Sequence, residues 1–218
     1  PGRGQDLRDG FRKSDILVHD HLLQAPQWLW EKIYRFNPEA VGRFAKGLDY
    51  HWNKRDINRE DLQKYNYNRH AYINLDDYFP YRGSSCDFPR HGGFYLYDWT
   101  FAYCKTGDEE FYKQIMRILD YRILRKDKNG LLPYHSWNEQ YEYTMAVGQT
   151  LSLVVSMLEA SMMLDTIKLN EKTKPDVKAA LKKRMEDDAA VYLNGFFKVK
   201  HDADKGMFLL ACKPGNCE

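Results

Sequence analysis

Cysteine is scarce in this chain. The four present, Cys86, Cys104, Cys212 and Cys217, include no Cys-x-x-Cys pair, so the usual zinc spacing is missing. Cys212 and Cys217 flank Pro214-Gly215 and are placed to pair around that turn, but spacing alone leaves the redox compartment open. A surplus of one charge is also missing. Lys and Arg number 33 against 31 Asp and Glu, for a net charge of +2. A dedicated nucleic-acid binder carries a one-sided basic excess, so none is expected as a partner. The short basic cluster Lys182-Lys183-Arg184 reads as a solvated helix face. No apolar run is expected to span a bilayer, and no stretch has the form of a signal peptide. With its start at Pro1-Gly2-Arg3-Gly4, the chain reads as a processed or truncated product. There is no Gly-rich loop between a strand and a helix beyond the weak Gly92-Gly93, and no serine elbow. Nucleotide-binding folds and α/β-hydrolases are therefore disfavoured.

What the chain does have is a large apolar fraction and many aromatics. Its 218 residues are enough for one large domain or two small ones, and at 43% hydrophobic they can bury a sizeable core. Aromatics make up 15%, with 16 Tyr, 11 Phe and 5 Trp. Several cluster beside His and Arg, as in Tyr65-Asn66-Tyr67-Asn68-Arg69-His70-Ala71-Tyr72. A flat apolar face with a polar tip suits a sugar ring, whose C–H faces are rimmed by hydroxyls. In the core, the same residues would simply be packing.

Helix signals dominate the chain. Pro26–Phe36 has apolar residues at helical spacing behind an initial Pro. Asn37-Pro38 breaks it and opens a second helix to Trp52. Residues 53–90 read as a long irregular segment of the kind that carries function. A helical hairpin follows: Gly92–Cys104, a Thr106-Gly107-Asp108 turn, then Glu109–Arg125 capped by Asp108. Residues 139–166 read as the longest apolar helix, and 175–193 as the last. The turn Lys126-Asp127-Lys128-Asn129-Gly130-Leu131-Leu132 resembles His201-Asp202-Ala203-Asp204-Lys205-Gly206-Met207-Phe208-Leu209, an internal repeat one hairpin long. The expected fold is all-α, a single domain over 1–218 with hairpins over 92–195. It would be about half of an (α/α) toroid, completed by a missing segment or by association of copies.

Three polar loops lead into helices: Ser14–His21, Cys86–Gly93 and Leu131–Asn138. Each gathers His, carboxylate, Arg or Tyr where backbone N–H groups are free to meet a polar, often anionic, ligand. The polar loop, Thr-Gly-Asp turn, amphipathic helix and Asp-x-x-Gly-Leu-x-Pro turn together resemble the six-hairpin (α/α)-toroid carbohydrate enzymes. These include glycoside hydrolases and polysaccharide lyases acting on uronate-rich chains. Residues 68–70 and 88–99 are also similar to bacterial proteins described as pectate-lyase-like.

The resemblance implies a secreted or periplasmic enzyme acting on a polysaccharide or oligosaccharide, with no cofactor expected. The leading expectation is a lyase that cleaves a uronic-acid-containing glycan by β-elimination, in which Arg69 and Arg90 would neutralise a uronate carboxylate and acidify the adjacent C–H. His70, His91 or His135 would take that proton, and Tyr134 would protonate the leaving oxygen. Asn68, Tyr95, Trp99, Trp137 and Glu139 complete the expected substrate contacts. A hydrolase instead needs two carboxylates across the scissile bond. Asp98, set between Tyr97 and Trp99 in an aromatic helix, would be one and Glu139 or Glu142 the other; Asp20 and Asp87 are further carboxylates in suitable loops. A third reading is a glycan-binding scaffold without chemistry. His19-Asp20-His21 has the spacing of half a divalent-metal site, but spacing identifies no third ligand, so a structural or substrate-contact role is expected there and no metal.

Overall fold

A computed structural model describes residues 16–18, 25–49, 71–73, 86–87, 89–136, 144–209, 211–213 and 216–217. Among these the structure is all-α at its core. The six helices are α1 (Gln27–Phe36), α2 (Pro38–Asp49), α3 (Pro89–Thr106), α4 (Glu109–Arg125), α5 (Val147–Thr166) and α6 (Pro175–Phe196). They pair in sequence as three hairpins, α1–α2, α3–α4 and α5–α6. The first helices of the hairpins run parallel. Gly93 meets Leu153 and Ser156, while the Cys104 carbonyl accepts from the Asn170 backbone N–H at 2.7 Å, so α3 and α5 keep step along their length. Trp30 meets Phe101 and Glu31 meets Lys105, which aligns α1 with α3 in the same direction. This is the layout expected for part of an (α/α) toroid.

The local chemistry explains the joints. Asp108 accepts the Glu110 N–H at 3.1 Å as the α4 N-cap, as its position in the sequence predicts. Gly107 before it has φ +65°, a conformation that favours glycine. In the first repeat turn Asp127 accepts from the Asn129 and Leu131 N–H groups, and Gly130 has φ +97°. In the second, Asp202 accepts from Lys205 and Gly206 has φ +63°.

Short strands mark where hairpins begin and end. β1 (Ile16–Val18) pairs antiparallel with β2 (Ala71–Ile73). β3 (Cys86–Asp87), β4 (Pro133–Ser136) and β5 (Thr144–Met145) form an antiparallel sheet in that order. β3 leads into α3, and β4 follows α4 and returns to β3. In the next repeat β6 (His201–Asp202) and β7 (Met207–Phe208) form a ribbon, and Cys212 beyond it pairs with Met145 in β5. Each hairpin thus ends beside the strand that started it. Cys212 and Cys217 form a disulfide, while Cys104 is free and buried.

Several boundaries differ from the sequence expectation. α3 starts at Pro89 rather than Gly92, because Pro is suited to the first helical turn. α5 starts at Val147 rather than 139. Thr144-Met145 is drawn into the sheet first, and the Ala146 N–H donates to the Leu132 carbonyl at 2.8 Å. Within the irregular 53–90 segment, 71–73 and 86–87 are strands and α3 has begun by Pro89. A further correction concerns α5, which is long and apolar enough to cross a membrane by length and composition. Just over half of it, 56%, is buried against the rest of the chain. Val147, Leu153, Val154, Met157, Ala160 and Leu164 all lie in the core, so packing accounts for its apolarity.

Candidate functional site

Nearly all of α3 is buried. Its residues from Pro89 to Thr106 keep solvent exposure only at Arg90, Phe94, Asp98 and Thr106. The first three are spaced by four, so they stack on one side of the helix. Eight residues of α-helix rise about 12 Å. A cation, an aromatic ring and a carboxyl therefore line one open stripe on an otherwise packed helix.

Asp98 is the chemical centre of that stripe. The residue keeps some exposure, but its Oδ1 is sealed from solvent and has no hydrogen-bond partner among the described residues. Burial pushes its carboxyl up to about 8, offset in part by the indole of Trp30 on α1. At neutral pH the group is thus mostly a neutral acid with a proton to give. Tyr97 beside it is buried, and its phenol is pushed further up, by burial first and then by the charges of Glu159 on α5 and Asp98. The backbone of Gln27 at the start of α1 opposes this in part. Carboxyls of two neighbouring helices thus face the same phenol.

Arg90 opens the stripe at the N-terminal end. Its Nε is buried with no hydrogen-bond partner among the described residues. His91 is buried and packs edge-on to Phe94, ring centroids 5.9 Å apart. Gly92 and Gly93 explain the close packing here. A Cβ on Gly93 would lie 2.8 Å from Ser156 Oγ and 3.3 Å from Leu153 Cα, so glycine lets α3 and α5 approach. A Cβ on Gly92 would sit 3.1 Å from the guanidinium of Arg122, a fully buried residue of α4. The pair is a packing device rather than a phosphate loop.

The sheet joins two of the polar loops read from sequence. Asp87 stands opposite His135 in the β3–β4 register, and Cys86 opposite Ser136. Tyr134 stands opposite Thr144. Residues 86–87 therefore pair with 135–136 shortly before α3 begins, and Tyr134 is the next residue along β4.

Other expected site residues lie elsewhere. Tyr95 and Trp99, expected to touch sugar, are core side chains. Trp99 is fully buried, and its Nε1 donates to the Ala45 carbonyl at 3.0 Å; Tyr95 packs against it at 5.5 Å. Trp99 faces α2 and both rings lie in the apolar core, so packing wins. Asn68, Arg69, His70, Trp137, Glu139 and Glu142 lie outside the described residues, as do His19, Asp20 and His21. Among the described residues no group of three His, Cys, Asp or Glu is placed to hold a metal. Sequence reading missed Phe94, Trp30 and Glu159. Phe94 carried a signal, the four-residue spacing from Arg90 to Asp98. Glu159 carried another, a lone carboxylate in the apolar run of α5.

No family model and no curated relative matches the chain. Two solved structures resemble it. One is an unsaturated glucuronyl hydrolase from Bacillus sp. GL1, described as responsible for the degradation of glycosaminoglycan. The other is a UGL variant with dGlcA-Glc-Rha-Glc. Each shares 13% identity at a TM-score of 0.42, over 64% of this chain. The chain spans 36% of the length of either.

Proposed function

We propose that this chain is a polysaccharide-processing enzyme that hydrolyses an acidic glycan along the open stripe of α3. The observation that carries this reading is the Arg90–Phe94–Asp98 stripe, which sets a guanidinium whose Nε has no partner among the described residues and a carboxyl that burial pushes up to about 8 on either side of an aromatic ring. Arg90 binds a sugar carboxylate. Phe94 takes the apolar face of a ring. Asp98 protonates the glycosidic oxygen as the bond breaks, a role that needs a carboxyl still carrying its proton near neutral pH. A second carboxylate completes the hydrolytic pair. Glu139 and Glu142 are its candidates from the sequence.

Elimination is the second reading. It draws support from the β3–β4 register, which sets Asp87 opposite His135 shortly before α3. His91 is buried in this arrangement, so His135 or His70 is the better base. A panel of uronate-containing polysaccharides separates the readings. Hydrolysis releases reducing ends with no unsaturated-uronide absorbance, elimination produces both, and a scaffold binds without either. The expected result is reducing ends alone; no cleavage of any acidic glycan would overturn the proposal.

A further inference from the structure

We propose that Trp30 is the positioning residue of Asp98, donating its indole N–H to the carboxylate once the acid has released its proton. This rests on the reading of Asp98 as the acid. Trp30 comes from another helix, α1, and is buried. Its Nε1 has no hydrogen-bond partner among the described residues, and neither does Asp98 Oδ1. The two orphaned atoms are complementary, a donor and an acceptor, and the indole acts electrostatically on the carboxyl across the α1–α3 contact. Indole N–H can only donate, so it favours the charged carboxylate and gives nothing to an acid O–H. Left unpaired, a buried N–H and a buried carboxylate oxygen would each carry a desolvation penalty.

Among the described residues, the other groups near Asp98 leave this role to Trp30. Tyr97, next to it on α3, responds to the Asp98 charge and to Glu159 on α5, and neither Tyr97 nor Glu159 is a cation. On α1, Glu31 is taken by Lys105 at 2.9 Å, and Lys32 lies over the Trp28 ring. Phe44 and Phe101 hold the Trp30 ring, with centroids 5.1 and 5.9 Å away, so its orientation is set by packing.

The test needs no substrate, so its outcome is independent of which glycan is cleaved. Carboxyl-carbon NMR titration of Asp98 in the full chain is compared with that of Trp30→Phe, which keeps an aromatic ring and loses the donor. The substitution is expected to make Asp98 about tenfold weaker as an acid. The Trp30 indole N–H resonance of the unmodified chain is expected to move with the same midpoint, and to stop moving in Asp98→Asn. An unchanged Asp98 midpoint in Trp30→Phe would overturn the proposal. If that variant does not fold, an indole resonance that ignores the Asp98 titration would overturn it equally.

Discussion

Asp98 puts a titratable group where the fold must hold it uncharged, and this has a measurable effect on stability. Its folded-state value, about 8, lies far above that of an exposed carboxylate. The folded chain therefore binds more protons than the unfolded chain between roughly pH 4 and pH 8. Stability should fall as pH rises through that window and level off above it. Urea unfolding of the intact chain at several pH values measures this, and Asp98→Asn should flatten the slope. A slope that survives the substitution would assign it to other groups. Trp99→Ala should cost about 3–5 kcal/mol, because it leaves a cavity in the core and removes the indole bond to the Ala45 carbonyl. An exposed cleft residue would cost far less. The effect of burial on Asp98 was legible in the sequence, because a lone carboxylate in an aromatic helix is desolvated unless it is paired. Trp99 was misread because the same aromatic composition serves a core and a cleft, and only the neighbouring helices decide between them.

The elements were legible where a physical signal fixes them. Asp108, the Thr106-Gly107-Asp108 turn and the two Asp–Gly turns fall as read, because capping and positive φ leave few residue choices. The start of α5 was not legible. Helical periodicity continues into residues that sheet pairing claims, and that pairing depends on chain far away, at Leu132 and Cys212. Gly130 gives an element-scale prediction. It combines φ +97° with a site where a Cβ would meet the Val191 carbonyl oxygen at 2.5 Å. Gly130→Ala should destabilise by about 1–3 kcal/mol, read from the denaturant midpoint. Gly206 shares the positive φ but has open space around it, so Gly206→Ala should cost less, about 1 kcal/mol. Equal costs would mean that backbone strain alone matters at both turns.

Across the whole molecule, three parallel-running hairpins bury α3 on every side but one, and the partly exposed strip carries Arg90, Phe94 and Asp98. The hairpin order was legible from the repeated turn. The stripe was legible only in part, since it emerges when α1, α2, α4 and α5 have covered everything else. Removing the Arg90 charge should weaken binding of an acidic glycan by about tenfold or more, with less effect on a neutral one, since a charged hydrogen bond of about 1.5–3 kcal/mol is lost. Isothermal titration with matched uronate and neutral oligosaccharides measures this. The central claim is that Asp98 supplies the proton for cleavage. Its most direct test is the turnover of Asp98→Asn on an acidic glycan that the unmodified chain cleaves, with binding measured in parallel. The account predicts a loss in kcat on the order of a hundredfold to ten-thousandfold with binding retained. Turnover within threefold of the unmodified chain would contradict it.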